Sequence, residues 1–223
     1  MLGLGAIPTI LLAISAFADG AQKPIVLPEL AGGISSKIVF DDPGFFDAAR
    51  RCFEQYPFNK LGASADDHQK TCLADYMRQH GAASSAIAFM RAAPVPAAVI
   101  AERTYDAVAV VHAAMMWADG SDGWAIINKS GELIPLWTPP AIDGDPTYRE
   151  FLRQHPEASL WSDRVGWPKV VSGKDGNQLT FDFSLKVCHA CARLGTARVI
   201  YEFDRGGHFQ AARLRQLVEQ PAL

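Results

Sequence analysis

Two thiols three positions apart, with an imidazole between them, are the groups in this chain best spaced to do chemistry. They lie in Lys186-Val187-Cys188-His189-Ala190-Cys191-Ala192-Arg193. Such a pair supports three chemistries. As a dithiol it can exchange with other disulfides, with His189 favouring the Cys188 thiolate. As thiolates, Cys188 and Cys191 could join His208 around a metal ion, with His189 or His112 as the fourth ligand. As a disulfide it pins a tight turn and displays His189 and Ala190 at the tip.

The flanking residues separate these readings. Exchange enzymes place the first cysteine at the start of a long helix, whose dipole lowers the thiol pKa. Here Gly195 follows Cys191 closely and a strand pattern begins at Thr196. Zinc knuckles come in pairs, and there is one C-x-x-C. Haem attachment needs His directly after the second cysteine, where Ala192 stands. The expectation is a structural disulfide, with no metal, no cofactor and no assigned catalytic residue. If the pair is redox-active instead, Cys188, Cys191 and His189 carry that activity. A rigid exposed loop also suits recognition, because preordering lowers the cost of association. A disulfide-closed, His-containing loop ahead of a strand is similar in layout to that of some periplasmic lysozyme inhibitors, with a different cysteine spacing.

The cysteines number 4, so Cys52 and Cys72 complete an even set. Pairing Cys52 with Cys72 and Cys188 with Cys191 is the economical choice of three. The longer crosslink is worth about 3 kcal/mol on the chain-entropy relation. An oxidising compartment is implied by the first eighteen residues. Residues 1–18 carry no charged side chain, run through Leu2, Leu4, Ile7, Ile10, Leu11, Leu12 and Ile14, and close on Ala16-Phe17-Ala18. That is a secretory leader. It is too short for a bilayer span, which takes about 20 residues, and Pro8 interrupts it. The expected location is periplasmic or secreted, without stable membrane insertion.

Other polar and aromatic positions have plainer explanations. His112 lies in an apolar strand, and His208 follows Gly206-Gly207 near Tyr201 and Asp204. Asp119 and Asp122 belong to a turn too short for calcium. All 5 tryptophans, Trp117, Trp124, Trp137, Trp161 and Trp167, fall in one stretch. Two or three lining a cleft could stack on sugars or grip a peptide. The candidate binding residues are His189, Trp124, Trp137 and His208. Carboxylates for glycoside hydrolysis could come from Glu102, Asp106, Asp143 or Asp163, but sequence does not select a pair.

These side chains must be positioned by elements legible in the chain. Short strands are expected at Ile25–Leu27 and Lys37–Phe40. A helix follows Asp42-Pro43, read as its capped start, and ends at Pro57. A second begins at Ser64 with Asp67 in a capping-box pattern and stops at Gly81. A third spans Ser85–Ala92. Strands follow at Tyr105–Met116, Trp124–Ile127 and Glu132–Leu136, the last two joined by a hairpin turn at 128–131. A helix capped by Asp145 carries Tyr148, Phe151 and Leu152. Strands are expected at Trp167–Val171, Leu179–Val187 and Thr196–Phe203. The segment from His208 reads either as strand or as helix.

The sum is an α+β chain. A leader at 1–18 precedes an arm and disulfide-tied helical segment at 19–96, then a mostly antiparallel sheet with one or two helices at 97–223. The last two regions are expected to pack as one domain. Of the 223 residues, 49% are apolar and 20% charged, which gives enough apolar chain for a core. The net charge of −3 lacks the basic field a nucleic-acid binder needs. No glycine-rich phosphate loop follows a strand. The functional expectation is an exported cell-envelope binding or accessory protein, whose partner is an envelope protein, a peptide or a glycan. The alternatives are an exported thiol–disulfide oxidoreductase or an envelope hydrolase.

Overall fold

The computed structural model describes residues 24–30, 38–62, 64–116, 122–138 and 140–220. The leader expected at 1–18, Trp117 and Asp119 lie outside those residues. The chain is α+β, with a disulfide-tied helical region ahead of mostly antiparallel strands and a few helices.

The helices follow their apolar spacing. In α1 (Phe45–Gln55), Phe45, Ala48, Ala49 and Cys52 are buried on one face. In α3 (Ser64–Gln79), Leu73, Ala74 and Met77 are buried. The Cys52–Cys72 disulfide clamps α1 to α3. Between them the short α2 (Phe58–Leu61) occupies what the sequence suggests is a plain connection. Two expected caps are built differently. Gly44 is the N-cap of α1, and Asp42 acts one step earlier by accepting the Gly44 N–H at 2.6 Å. Ser64 is already helical and its hydroxyl donates back to the Leu61 carbonyl at 2.8 Å. The α4 helix (Ser84–Ala92) follows. In α5 (Pro146–Gln154), the Asp145 carboxylate does cap, accepting from the N–H groups of Thr147 and Tyr148.

The strands form two sheets. The first contains β1 (Ile25–Val26), β2 (Ala97–Tyr105), β3 (Val108–Met115), β4 (Asp122–Asn128) and β5 (Glu132–Pro135), in the order β1-β5-β4-β3-β2. The second contains β6 (Ser159–Trp161), β7 (Lys169–Gly173), β8 (Gly176–Lys186), β9 (Gly195–Asp204) and β10 (Phe209–Glu219). Its order is β10-β9-β8-β6, with β7 also on β8. All these pairings are antiparallel.

Several expected elements shift. Residues 38–40 make no strand; one bond, Phe40 N–H to the Val99 carbonyl at 2.8 Å, ties them to β2. The strand expected from Tyr105 is broken by a turn at Asp106, whose φ of 50° reverses the chain into the β2–β3 hairpin. The strand expected through Val187 ends at Lys186, and Val187 is exposed. The open choice after His208 resolves as strand, because β9 offers a full-length partner and helix propensity yields to that pairing. Short β6 carries no period-two signal of its own and exists only as a partner for Ser184–Lys186.

The sheets pack face to face. Val110, Ile126 and Ile134 of the first meet Phe181, Val199 and Tyr201 of the second, with Tyr148 and Phe151 of α5 added. The other face of the first sheet, with Val99, Val111, Ala125 and Leu133, is covered by Phe89 of α4. The α1 and α3 helices, with Ala86, Ile87 and Met90 of α4, form a third cluster that includes Ala98 of β2. At one end the sheets are tied by Asn128, fully buried, whose amide donates to the Gly207 carbonyl at 3.0 Å. The Asn128 side-chain oxygen accepts from Ser130 N–H and hydroxyl and from Glu132 N–H.

Candidate functional site

The Cys188–Cys191 disulfide closes the connection between β8 and β9. Its Cα atoms are 5.0 Å apart. The Cys191 N–H donates to the Cys188 carbonyl at 3.1 Å, and Leu194 N–H donates to Leu185 at 2.8 Å. The loop is therefore a crosslinked turn on an intact ladder, and Cys188 does not open a helix. Val187, Cys188, His189 and Ala190 are exposed, and Cys191 is half-buried at the base.

Neighbouring groups hold this turn from one side. Lys186 Nζ lies 2.5 Å from Asp163 Oδ2 in the turn Ser162–Arg164. The same ammonium donates to the His189 carbonyl at 3.3 Å. The Trp161 indole N–H donates to the Lys186 carbonyl at 3.2 Å. The rings of Trp161 and His189 meet edge to face at 5.4 Å. Trp161 is placed there because β6 pairs with β8 in the register Trp161↔Ser184. Burial alone would raise the Asp163 carboxyl. The Lys186 ammonium beside it outweighs this and holds the carboxyl below its ordinary value. An ion pair shielded this way keeps more of its attraction than one in open water. Chemically, the arrangement offers an exposed imidazole edge-on to a half-exposed indole, next to the exposed Val187.

The other candidate residues lie elsewhere. Trp124 is buried in the inter-sheet core, stacked on His112 at 4.3 Å and edge-on to Trp167 at 5.0 Å. The Arg103 guanidinium sits 4.2 Å over the Trp167 ring, and His112 Nε2 is 2.8 Å from Asp122 Oδ2. These rings pack against one another and not into a shared cleft with His189. Trp137 is on the opposite face of the first sheet, against Phe89. His208 is exposed, with its backbone N–H on Asp204 and its ring 3.9 Å from Glu132. Tyr201 is fully buried. Thus His189, Trp124, Trp137 and His208 do not form one cluster.

The carboxylates considered for hydrolysis sit on separate elements. Glu102 is on β2, Asp106 in the turn after it, Asp143 ahead of α5 and Asp163 beside the disulfide loop. Burial pushes Glu102 up, and Thr104 opposes this by donating to it. A groove of about 470 Å³ runs between hairpin ends, lined by Val171, Lys174, Asp175, Glu202, Phe203 and Asp204 among others. None of the four candidate binding residues lines it. Among the described residues, no group of three or more His, Cys, Asp or Glu side chains is arranged to hold a metal ion. Among the same residues no helix is long and apolar enough to cross a membrane.

Sequence reasoning named Trp161 among the tryptophans and Asp163 among the carboxylates, but it placed neither beside the disulfide turn and missed the role of Lys186. Lys186 had a signal, since it shares the polar face of an alternating strand with Asp182 and Ser184, two residues before the loop. Trp161 and Asp163 had none, because their placement depends on a pairing across 25 residues. No family model, curated protein or solved structure matches this chain.

Proposed function

We propose that this chain is an exported cell-envelope binding or accessory protein whose recognition element is the disulfide-closed turn around His189. The observation that carries the reading is the double restraint on an exposed turn. Cys188–Cys191 closes it, and Lys186 grips its carbonyl from beneath while paired to Asp163. Free loops lose entropy on association, about 0.5–1.5 kcal/mol for each mobile side chain that must be ordered. A turn held in advance avoids much of that loss, which is the physical advantage of presenting His189 here. The apolar leader ending in Ala16-Phe17-Ala18 and the two crosslinked cysteine pairs support export to an oxidising compartment. Partner chemistry is an envelope protein, a peptide or a glycan.

The test has two arms. Expression of the full chain in a host with an oxidising periplasm should yield processed, exported protein with two disulfides. Retention of the leader with four free thiols in the cytosol overturns the reading. Isotope-labelled protein is then titrated with soluble cell-wall glycopeptide fragments and with extended peptides. Backbone NMR shifts should concentrate at 186–191 and 161–163 and vanish in His189→Ala. Shifts confined to the groove near Lys174 and Asp204, or unchanged in His189→Ala, overturn it.

A further inference from the structure

We infer that Cys188 is a site of mixed-disulfide formation with external thiols, so that the His189 turn can be opened by reduction while the rest of the fold stays crosslinked. This deepens the recognition reading above and rests on it for its purpose, by naming redox control of the same turn. The two disulfides face different surroundings. Cys188 is exposed and Cys191 half-buried at the base of a surface turn. Cys52 is buried among Phe45, Leu73 and Met77 in the helical cluster, with Cys72 at its border. Exchange needs an incoming thiolate to reach one sulfur and the other sulfur to leave as a thiolate. At Cys72 the group expelled would be a Cys52 thiolate inside an apolar cluster, an environment that disfavours the charged form. At Cys188 the group expelled is Cys191, which remains in contact with solvent.

The step balances with a monothiol or dithiol as reductant. The incoming thiolate bonds to Cys188 Sγ, and the Cys188–Cys191 bond breaks. Its electron pair leaves on Cys191 Sγ, which takes a proton from water. A second thiolate then attacks the incoming sulfur of the mixed disulfide and releases Cys188 as a thiolate, which is protonated in turn. The products are a reduced cysteine pair and an oxidised external disulfide. With the crosslink gone, the turn keeps the Cys191 N–H bond to the Cys188 carbonyl, the Lys186 bond to the His189 carbonyl and the Trp161 contact, but no covalent closure.

The experiment uses the folded, fully oxidised full-length chain under native conditions. Glutathione and dithiothreitol are added separately, samples are quenched by alkylation at intervals, and each cysteine is followed by peptide mass analysis. Cys188 and Cys191 are expected to open roughly tenfold or more faster than Cys52 and Cys72, with the glutathione adduct found on Cys188. Helical circular dichroism should be unchanged at that stage. Equal rates, prior opening of Cys52–Cys72, or an adduct first on Cys191 overturns the inference. The His189→Ala variant separates this result from the recognition reading. It keeps the crosslink, so Cys188–Cys191 should still open before Cys52–Cys72 even where ligand shifts vanish. Fast opening with binding insensitive to His189→Ala rejects recognition alone. Slow opening with binding lost in His189→Ala rejects redox control alone.

Discussion

Lys186 Nζ lies 2.5 Å from Asp163 Oδ2, with side-chain exposures of 13% and 28%, so one ion pair joins the end of β8 to the turn after β6. The same ammonium bonds the His189 carbonyl. The disulfide turn is thereby attached to two parts of the second sheet. Lys186→Met should lower stability by about 1 kcal/mol, since it leaves a partly shielded, solvent-accessible carboxylate without its charged partner. Urea unfolding measures this. Combining Lys186→Met with Asp163→Leu should recover most of the loss, because no unpaired charge remains. A double variant as unstable as the single one contradicts this account.

The same pair sets part of the acid sensitivity. The Asp163 carboxyl is held below its ordinary value of 3.8 in the folded chain. The unfolded chain therefore binds the proton more readily, and the contribution to stability is fully present above the ordinary value. It is lost as pH falls through the lower folded value. As pH falls below the ordinary carboxyl value of 3.8, unfolding free energy should fall more steeply in the parent than in Asp163→Asn. Parallel slopes would show that the pair is not felt.

The junction between the sheets offers a larger effect. Gly207 has a φ of +82°, and a Cβ there would lie 2.5 Å from the Ala107 carbonyl oxygen. Gly207→Ala should therefore destabilise by about 2–4 kcal/mol, through backbone strain and the shift forced on the β2–β3 turn. Asn128→Ala removes the buried amide that bonds the Gly207 carbonyl and should cost about 2–3 kcal/mol. The two losses should fall short of additive, since both break one contact. Thermal or urea melts of the three variants check this.

The disulfides should differ in what their removal does. Replacing both Cys52 and Cys72 by Ala should cost about 3 kcal/mol, as the chain-entropy relation gives for a separation of 20. Replacing both Cys188 and Cys191, separated by 3, should cost about 2 kcal/mol or less. Amide exchange should accelerate in 187–191 in the second variant and in α1 and α3 in the first. The opposite pattern would mean that the turn, not the helix clamp, organises the fold.

Capping gives a control away from the site. Asp145→Ala should cost about 1 kcal/mol and leave the disulfide turn unaffected, because its carboxylate serves only the first turn of α5. A matching loss of protection at 187–191 would reveal unexpected coupling.

Elements with a strong local signal were legible. The alternation through Leu179, Phe181, Phe183 and Leu185 marks β8, and Asp145-Pro146 marks the start of α5. The Cys188–Cys191 pairing followed from spacing. Elements that depend on a distant partner were not legible. Asp42 and Ser64 carry good capping chemistry, yet their roles moved by a residue or more because the packing of α1 on α3 sets where each helix begins.

The amino-acid sequence by itself determined the class of fold, written in periodicity, and the close C-x-x-C spacing of Cys188 and Cys191, while the Cys52–Cys72 pairing was the economical choice of an even set. Only the tertiary structure decided that the strands divide into two packed sheets, that β10 is a strand, and that Trp124 and Trp137 face different cores. It also brought Trp161 and Asp163 under the turn. The reason is that pairing and burial are contacts between residues far apart along the chain, whose energies no local window of residues contains.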